Sequence, residues 1–129
     1  MNLIEKVKQL IDNKNFGNIA TIMNDGSPQV STVWIGRDGD SILVNTAAGR
    51  IKEKNIDRDP RVAISIFDTQ NPYQQVLIKG KVTDKIFTGA KDHINELSRK
   101  YTGKDYPSDL LETDTRIIFK ITPEKLTYF

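Results

Sequence analysis

Three cationic residues at every second position are the clearest candidates for chemistry in this sequence. Arg50, Lys52 and Lys54 lie within the stretch "NTAAGRIKEKNIDRDPRV". The D-P pair in that stretch predicts the end of a short helix over about 50–58, because a residue before proline is pushed out of the α region. Cations in a first helical turn meet the positive end of the helix dipole, which costs about 0.3–1 kcal/mol per charge. An anion bound at this helix start would reverse the sign of that term.

The residues just before these cations would complete a cradle for a phosphate group. Thr46 offers a hydroxyl donor, the small residues at 47–49 let the backbone approach a ligand, and a helix start offers free N–H groups. Residues two apart on a helix point in nearly opposite directions, so Arg50 and Lys52 converge only if the chain is still extended at Arg50. The alternative is an ordinary solvated helix face.

Other common catalytic motifs are absent from the sequence. It has no cysteine, which excludes disulfides and thiolate chemistry. The phosphate-binding P-loop, G-x-G-x-x-G, G-x-S-x-G and H-E-x-x-H patterns are also missing. The single histidine, His93, falls in a predicted helix, where a surface or boundary position is the usual reading. We therefore predict no metal site. No Ser or Asp stands out as a partner of His93 in a triad, and the catalytic residues stay unassigned.

Composition points to one ordinary globular domain over 1–129. Hydrophobic residues make up 37% and charged residues 28% of the chain, and the net charge is +2. That charge is too small to indicate a nucleic-acid-binding protein, and no apolar run of about 18 residues predicts a membrane span. With no cysteine and no apparent leader, a cytoplasmic location is expected.

Hydrophobic periodicity predicts a mainly β protein with peripheral helices. Helices are expected in "NLIEKVKQLIDNK" and "TGAKDHINELSRKY", with a further turn at 108–111. Two D-G pairs predict hairpins, and Gly80 inside a strand predicts either a bulge or a place where a ligand or backbone comes close. Consecutive strands without helical crossovers favour an antiparallel barrel. The predicted strands are about 16–24, 29–36, 41–46, 61–68 and 75–85, then "TRIIFKI" and "EKLTYF".

The order of these motifs resembles a known superfamily. The pattern N-T-x-x-G-R-x-K-x-x-N-I-x-x-D-P-R-V-A-I-S, with "GSPQVSTVWI" before it and "NPYQQVLIKGKV" and "RKYTGKDYP" after it, is similar to the split-barrel flavin-binding proteins. This superfamily contains pyridoxamine 5'-phosphate oxidase and oxidoreductases that use the deazaflavin F-420. The resemblance covers nearly the whole chain from Phe16, and is strongest to the small F-420- or FMN-dependent subgroup. It implies a six-stranded antiparallel split β-barrel of the FMN-binding type.

The resemblance also implies roles for particular residues. Arg50 and Lys52 would hold the cofactor phosphate, and Lys54, one turn beyond Arg50, would extend positive charge toward the acidic tail that F-420 carries and FMN lacks. Gln75 would reach the cofactor of the partner subunit. The remaining residues expected along the cofactor are Ser31, Val33, Trp34, Asn45, Thr46 and Gly49. Trp34 is equally compatible with plain core packing, and Gln75 with an ordinary polar residue at a strand edge.

The expected function is redox chemistry on a bound cofactor. A homodimer would transfer hydride between FMN or F-420 and a small-molecule acceptor, with no nucleic acid and no membrane involved. A true pyridoxamine 5'-phosphate oxidase is not expected, because this chain ends "KLTYF" where those enzymes carry an Arg-x-His segment. The alternative is a non-catalytic protein that stores or shields a flavin, F-420 or a tetrapyrrole.

Overall fold

The computed structural model describes residues 1–128. Phe129, the last residue of the predicted final strand, lies outside them. None of the helices within this range has the length and the apolar content needed to cross a bilayer. The elements in chain order are α1 Glu5–Asp12, β1 Gly17–Ile22, β2 Pro28–Val33, β3 Gly36–Asp38, β4 Ser41–Ala47, α2 Ile51–Arg58, β5 Arg61–Asp68, β6 Asn71–Ile86, α3 Ala90–Thr102, α4 Ser108–Thr113 and β7 Arg116–Tyr128.

All strands within the described range form one antiparallel sheet in the order β2-β1-β5-β6-β7-β4-β3. The expected mainly β architecture with peripheral helices is confirmed, and both D-G pairs form hairpins, β1–β2 and β3–β4. The expected six-stranded barrel is corrected: the sheet has seven strands, and among the described residues no strand pairing joins its two edge strands to close a barrel. Its two edge strands, β2 and β3, are linked only by Trp34 and Ile35. Two residues span roughly 10 Å at most, so the two edges meet there.

The predicted strand 29–36 is interrupted after Val33, because two side chains of α3 form hydrogen bonds with the backbone of Ile35. The Ile35 N–H donates to the Tyr101 hydroxyl at 3.1 Å, and Lys100 Nζ donates to the Ile35 carbonyl at 2.8 Å. Both backbone groups of Ile35 are therefore satisfied outside the sheet, as buried backbone groups must be. The chain changes partner at this point, from β1 to β4.

The two longest strands carry the bend that wraps the sheet. The predicted loop "TQNPYQ" is a tight turn, with β6 beginning at Asn71, and the last two predicted strands form the continuous β7. The β6–β7 register shifts between Lys79 and Gly80. A Cβ on Gly80 would lie 2.5 Å from the Thr122 carbonyl oxygen. The glycine therefore marks a bulge and also a close approach of backbone, so both predicted features occur at this position.

One apolar core is shared by both halves of the sheet. Ile19 and Ile64 from one half meet Ile42 and Phe119 from the other, and Val7 of α1 closes the end. All of these side chains are almost fully buried, and each such burial contributes about 1.5–3 kcal/mol. The core holds β4 and β7 side by side, and the candidate site lies where these two strands meet α2 and α3.

Candidate functional site

The start of α2 brings the predicted basic pair together. Arg50 precedes the helix with φ −79° and ψ 163°, an extended conformation, while Lys52 lies in the first turn. This is the geometry under which the two side chains can converge. The first turn also contains Glu53, whose carboxylate accepts a hydrogen bond from the Gly49 N–H at 2.7 Å. The N–H groups of residues 51–53 have no acceptor within the helix, as at any helix start.

Lys52 is a half-buried cation with no anion beside it. It forms no salt bridge or hydrogen bond within residues 1–128, whereas Lys85 is paired with both Glu53 and Asp57. Burial lowers the pKa of Lys52, and the positive charges of Arg50 and Arg116 lower it further. A desolvated lysine next to two other cations is unfavourable by itself, and a bound anion would relieve both effects.

The turn that leads into α2 is tied to the start of β7. The Ala48 N–H donates to the Thr115 carbonyl at 2.8 Å, and Ala47 lies directly opposite Arg116 in the β4–β7 register. Gly49 adopts φ +89° with nothing near the position of a Cβ, so the turn requires glycine and leaves open space beside it.

Thr46 and Asn45, the last polar residues of β4, face opposite sides of the sheet. Thr46 Oγ1 is buried and is the one such side-chain atom in the described part of the chain without a hydrogen-bond partner. The Asn45 side-chain amide, in contrast, has hydrogen-bond partners for both its nitrogen and its oxygen. Its nitrogen donates to the Ala90 carbonyl at 2.9 Å and to His93 Nδ1 at 3.0 Å, and its oxygen accepts from Arg116 Nε at 2.9 Å.

Arg116 and His93 are the members of this cluster that sequence reasoning missed. Arg116 is 5% exposed, and its guanidinium also contacts Asp114 and the ring of Tyr106. His93 is half-buried in α3, and burial lowers its pKa. An arginine at the first position of the apolar strand "RIIFKI" was the available signal, because a charge at a buried strand end requires a partner.

Ser31, Val33 and Trp34 have no hydrogen bond, ion pair or ring contact with Arg50 or Lys52 among residues 1–128. Ser31 and Val33 are half-buried on the inner face of β2, the face of the Ser31 register partner Ile19 in the core. Trp34 stacks on Tyr101 with ring centroids 5.5 Å apart and meets the edge of Tyr106 at 6.4 Å. Trp34 is therefore packed into the apolar cluster beneath α3, and no contact joins it directly to the basic pair.

Lys54 lies on α2, one turn beyond Arg50, whereas Gln75 lies on β6. Lys54 is exposed on α2, with its backbone N–H bonded to the Arg50 carbonyl at 3.3 Å. Gln75 lies on the outer face of the sheet, opposite Phe67 of β5. Within one chain, Arg50, Lys52 and Arg116 are close enough to influence one another electrostatically, and Asn45 is hydrogen-bonded to Arg116.

The residues present fit a phosphate-bearing ligand. A groove of about 400 Å³ lies between the first turn of α3 and residues 112–116, and it is lined by Arg116, Lys91 and three carboxylates, Asp92, Glu112 and Asp114. The features that favour a phosphate ester are the uncompensated positive charge of Lys52 and the open N–H groups at the start of α2, rather than the groove.

The chain matches the family model described as pyridoxamine 5'-phosphate oxidase over residues 3–129. This match extends over almost the entire sequence. It confirms the resemblance to the split-barrel superfamily expected from the motifs around the basic pair.

Solved structures with the same fold have different stated roles. A structure described as an F420 reductase is 28% identical, with a TM-score of 0.84, and covers 97% of this chain and 98% of its own. A putative pyridoxamine 5'-phosphate oxidase from Listeria innocua is 19% identical, with a TM-score of 0.73 and coverage of 97% and 96%. The haem storage protein HutZ from Vibrio cholerae is 14% identical, with a TM-score of 0.72 and coverage of 99% and 95%. The last two similarities concern the fold alone.

Proposed function

The chain belongs to the pyridoxamine 5'-phosphate oxidase family, and from this premise we propose that it binds FMN or F-420 through the phosphate and transfers hydride between that cofactor and a small-molecule acceptor. The observation that carries the proposal is the half-buried Lys52, which has no anion beside it and lies next to Arg50 at the start of α2. A flavin or deazaflavin would supply the redox chemistry when bound. The protein would supply binding, orientation and electrostatics.

Arg50 and Lys52 would act as the phosphate ligands, with the N–H groups of the first turn of α2 beside them. Arginine offers a planar fork of donors and lysine a point charge, so the pair suits a phosphate oxygen cluster. The half-buried position of Lys52 strengthens its electrostatic attraction for the phosphate, since the local dielectric constant is lower than that of water. Lys54, exposed on the same helix, would meet the acidic tail that F-420 alone carries.

Homodimer formation is part of the proposal because the outer sheet face is apolar and exposed. Val30, Ala20 and Ala63 lie in register across three strands of this face. Leu77 and Phe67 are exposed beside them at 43% and 42%. An apolar patch of this kind on a soluble protein is typical of an interface. A second copy on this face would bring its Gln75 toward the first copy's cofactor.

Storage of a cofactor without turnover is the rival function. It would use the same basic corner, so binding alone does not separate the two. The similarity to the F420 reductase structure, at 28% identity, favours a redox role, whereas the haem storage protein is only 14% identical.

The deciding experiment begins with the absorption spectrum of the purified protein and mass identification of any released cofactor. The protein is then loaded with FMN or with F-420, the cofactor is reduced, and its reoxidation by a panel of small-molecule acceptors is followed. Catalysed reoxidation supports the oxidoreductase. Tight binding with reoxidation no faster than that of the free cofactor supports storage, and binding of neither cofactor contradicts both.

A further inference from the structure

Arg116 is a buried arginine whose side chain is held from several directions. Its Nε donates to Asn45 Oδ1 at 2.9 Å, its Nη1 lies 3.4 Å from the Asp114 carboxylate, and its guanidinium carbon lies 5.3 Å from the centre of the Tyr106 ring. An arginine side chain has five N–H donors. Only two of them have partners within residues 1–128, so Nη2 keeps both of its own.

The strand pairing places Arg116 at the base of the turn that carries the basic pair. Ala47 lies opposite Arg116, and the next residue, Ala48, bonds to the Thr115 carbonyl. The turn reaches Arg50 only two residues later. Arg116 also lines the groove beside α3, so this residue, whose side chain is 4% exposed, borders a space that a ligand can enter.

The charges at this corner do not balance. Arg50, Lys52 and Arg116 influence one another electrostatically, and Asp114 is the carboxylate in contact with Arg116. Glu53 in the first turn of α2 is paired with Lys85, and the groove beside Arg116 also contains Lys91, Asp92 and Glu112. The excess of positive charge is therefore confined to Arg50, Lys52 and Arg116, which have Asp114 as the carboxylate among them. Such an excess is unfavourable in the free protein and favourable once a phosphate binds, which makes the excess itself a reason to expect an anion.

We infer that Arg116 is a third cation of the phosphate site, and that Asn45 and His93 are positioning residues that aim its guanidinium. The inference rests on the proposed function and deepens it. Asn45 has both amide hydrogens and one oxygen lone pair committed inside the chain. Its part is therefore to fix Arg116, and His93 fixes Asn45 by accepting one of those hydrogens.

A purely structural role for Arg116 predicts a different behaviour. If Arg116 only anchors β4 to the segment after α4, its replacement should weaken the binding of every ligand at this corner to the same extent. As a phosphate ligand, it would affect only ligands that carry a phosphate. FMN and riboflavin form a matched pair that differs in this group, and F-420 and its phosphate-free deazariboflavin form a second pair.

The test compares the parent with Arg116→Met, Arg116→Lys and the control Arg99→Met, which removes an exposed arginine paired with Asp105 at the other end of α3. Arg116→Met should weaken FMN binding by at least about tenfold, as expected for the loss of one charged hydrogen bond, and leave riboflavin binding within about twofold. Arg116→Lys should recover part of the loss. Equal losses for FMN and riboflavin, or none for either, would overturn the inference. The deazaflavin pair shows whether a phosphodiester behaves like the monoester.

Inorganic phosphate separates this inference from the proposed function. Orthophosphate should raise the Tm of the parent and of Arg99→Met, and raise that of Arg116→Met clearly less. This result would support an anion site at Arg116 even if the parent binds neither cofactor. Equal responses in all three proteins would show only the general effect of the salt and would contradict the inference.

The positioning role has its own readout. Asn45→Asp places a carboxylate against Arg116 and should lower FMN affinity more than Asn45→Ala, because it neutralises the arginine as well as releasing it. Riboflavin affinity should be similar in the two variants. If Asn45→Ala binds FMN as tightly as the parent does, Asn45 does not position Arg116.

Discussion

Asn45 donates a hydrogen bond across 3.0 Å to Nδ1 of His93, which joins the end of β4 to the first turns of α3. An amide nitrogen only donates, so the imidazole nitrogen facing it must be an acceptor, and the ring is neutral with its proton on Nε2. Burial lowers the pKa of His93, the positive charge of Arg116 lowers it further, and Glu96 raises it. Protonation of His93 would therefore remove the acceptor that holds Asn45.

This relationship predicts a loss of stability on mild acidification. Because the native pKa of His93 is lowered, the unfolded chain takes up the proton first as the pH falls below about 6.5. The free energy of unfolding should therefore decrease from that pH downward until the native histidine is protonated too. Urea unfolding at a series of pH values should show this decrease in the parent. His93→Gln, which keeps an acceptor but does not titrate, should show less of it; identical pH profiles would contradict the prediction.

Replacement of both phosphate ligands should separate binding from folding. Arg50→Ala with Lys52→Ala should weaken FMN and F-420 binding by about 1.5–3 kcal/mol for each charged hydrogen bond lost. The free energy of unfolding should hold or rise, because Lys52 is desolvated beside two other cations. Fluorescence titration and urea unfolding provide the two readouts.

The exposed Lys54 supplies the control for that experiment. Lys54→Ala should leave FMN affinity unchanged and should weaken F-420 binding at low salt, because only F-420 carries an acidic tail. The difference should shrink as salt screens exposed charges beyond about 8–10 Å. Unchanged FMN affinity in the double variant would contradict the roles given to Arg50 and Lys52.

The sequence was informative where structure is set by neighbouring residues. The D-G hairpins, the helix end before Pro60 and the basic pair at the start of α2 are all local features, and they were predicted. Arg116 was missed because it reaches the site only through the β4–β7 pairing, across 71 residues from Asn45. The break at Ile35 was missed for the same reason, since it depends on Lys100 and Tyr101 of α3.

Gly80 provides a test of the bend in the sheet. Gly80→Ala places a Cβ 2.5 Å from the Thr122 carbonyl oxygen, so the β6–β7 pairing must shift. Overpacking of this kind costs about 1–3 kcal/mol. The neighbouring Lys79 is exposed, and Lys79→Ala should change the free energy of unfolding by less than about 0.5 kcal/mol. Chemical denaturation should separate the two variants; equal stability would mean that the close approach is not maintained in solution.

The outer sheet face gives the prediction that decides whether the site is built from one chain or two. If a second copy covers this face, Leu77→Lys should place a charge in an apolar interface and convert a dimer into monomers. Leu110→Lys is the matched control, since Leu110 is exposed to a similar extent, 39% against 43%, but lies on α4. Sedimentation at micromolar concentration should show dimers for the parent and the control and monomers for Leu77→Lys.

If the partner's Gln75 reaches the cofactor, Leu77→Lys should also lose cofactor affinity, whereas Gln75→Ala should lose it while remaining dimeric. A monomeric parent with full cofactor affinity would show that the corner formed by Arg50, Lys52 and Arg116 is sufficient in one chain.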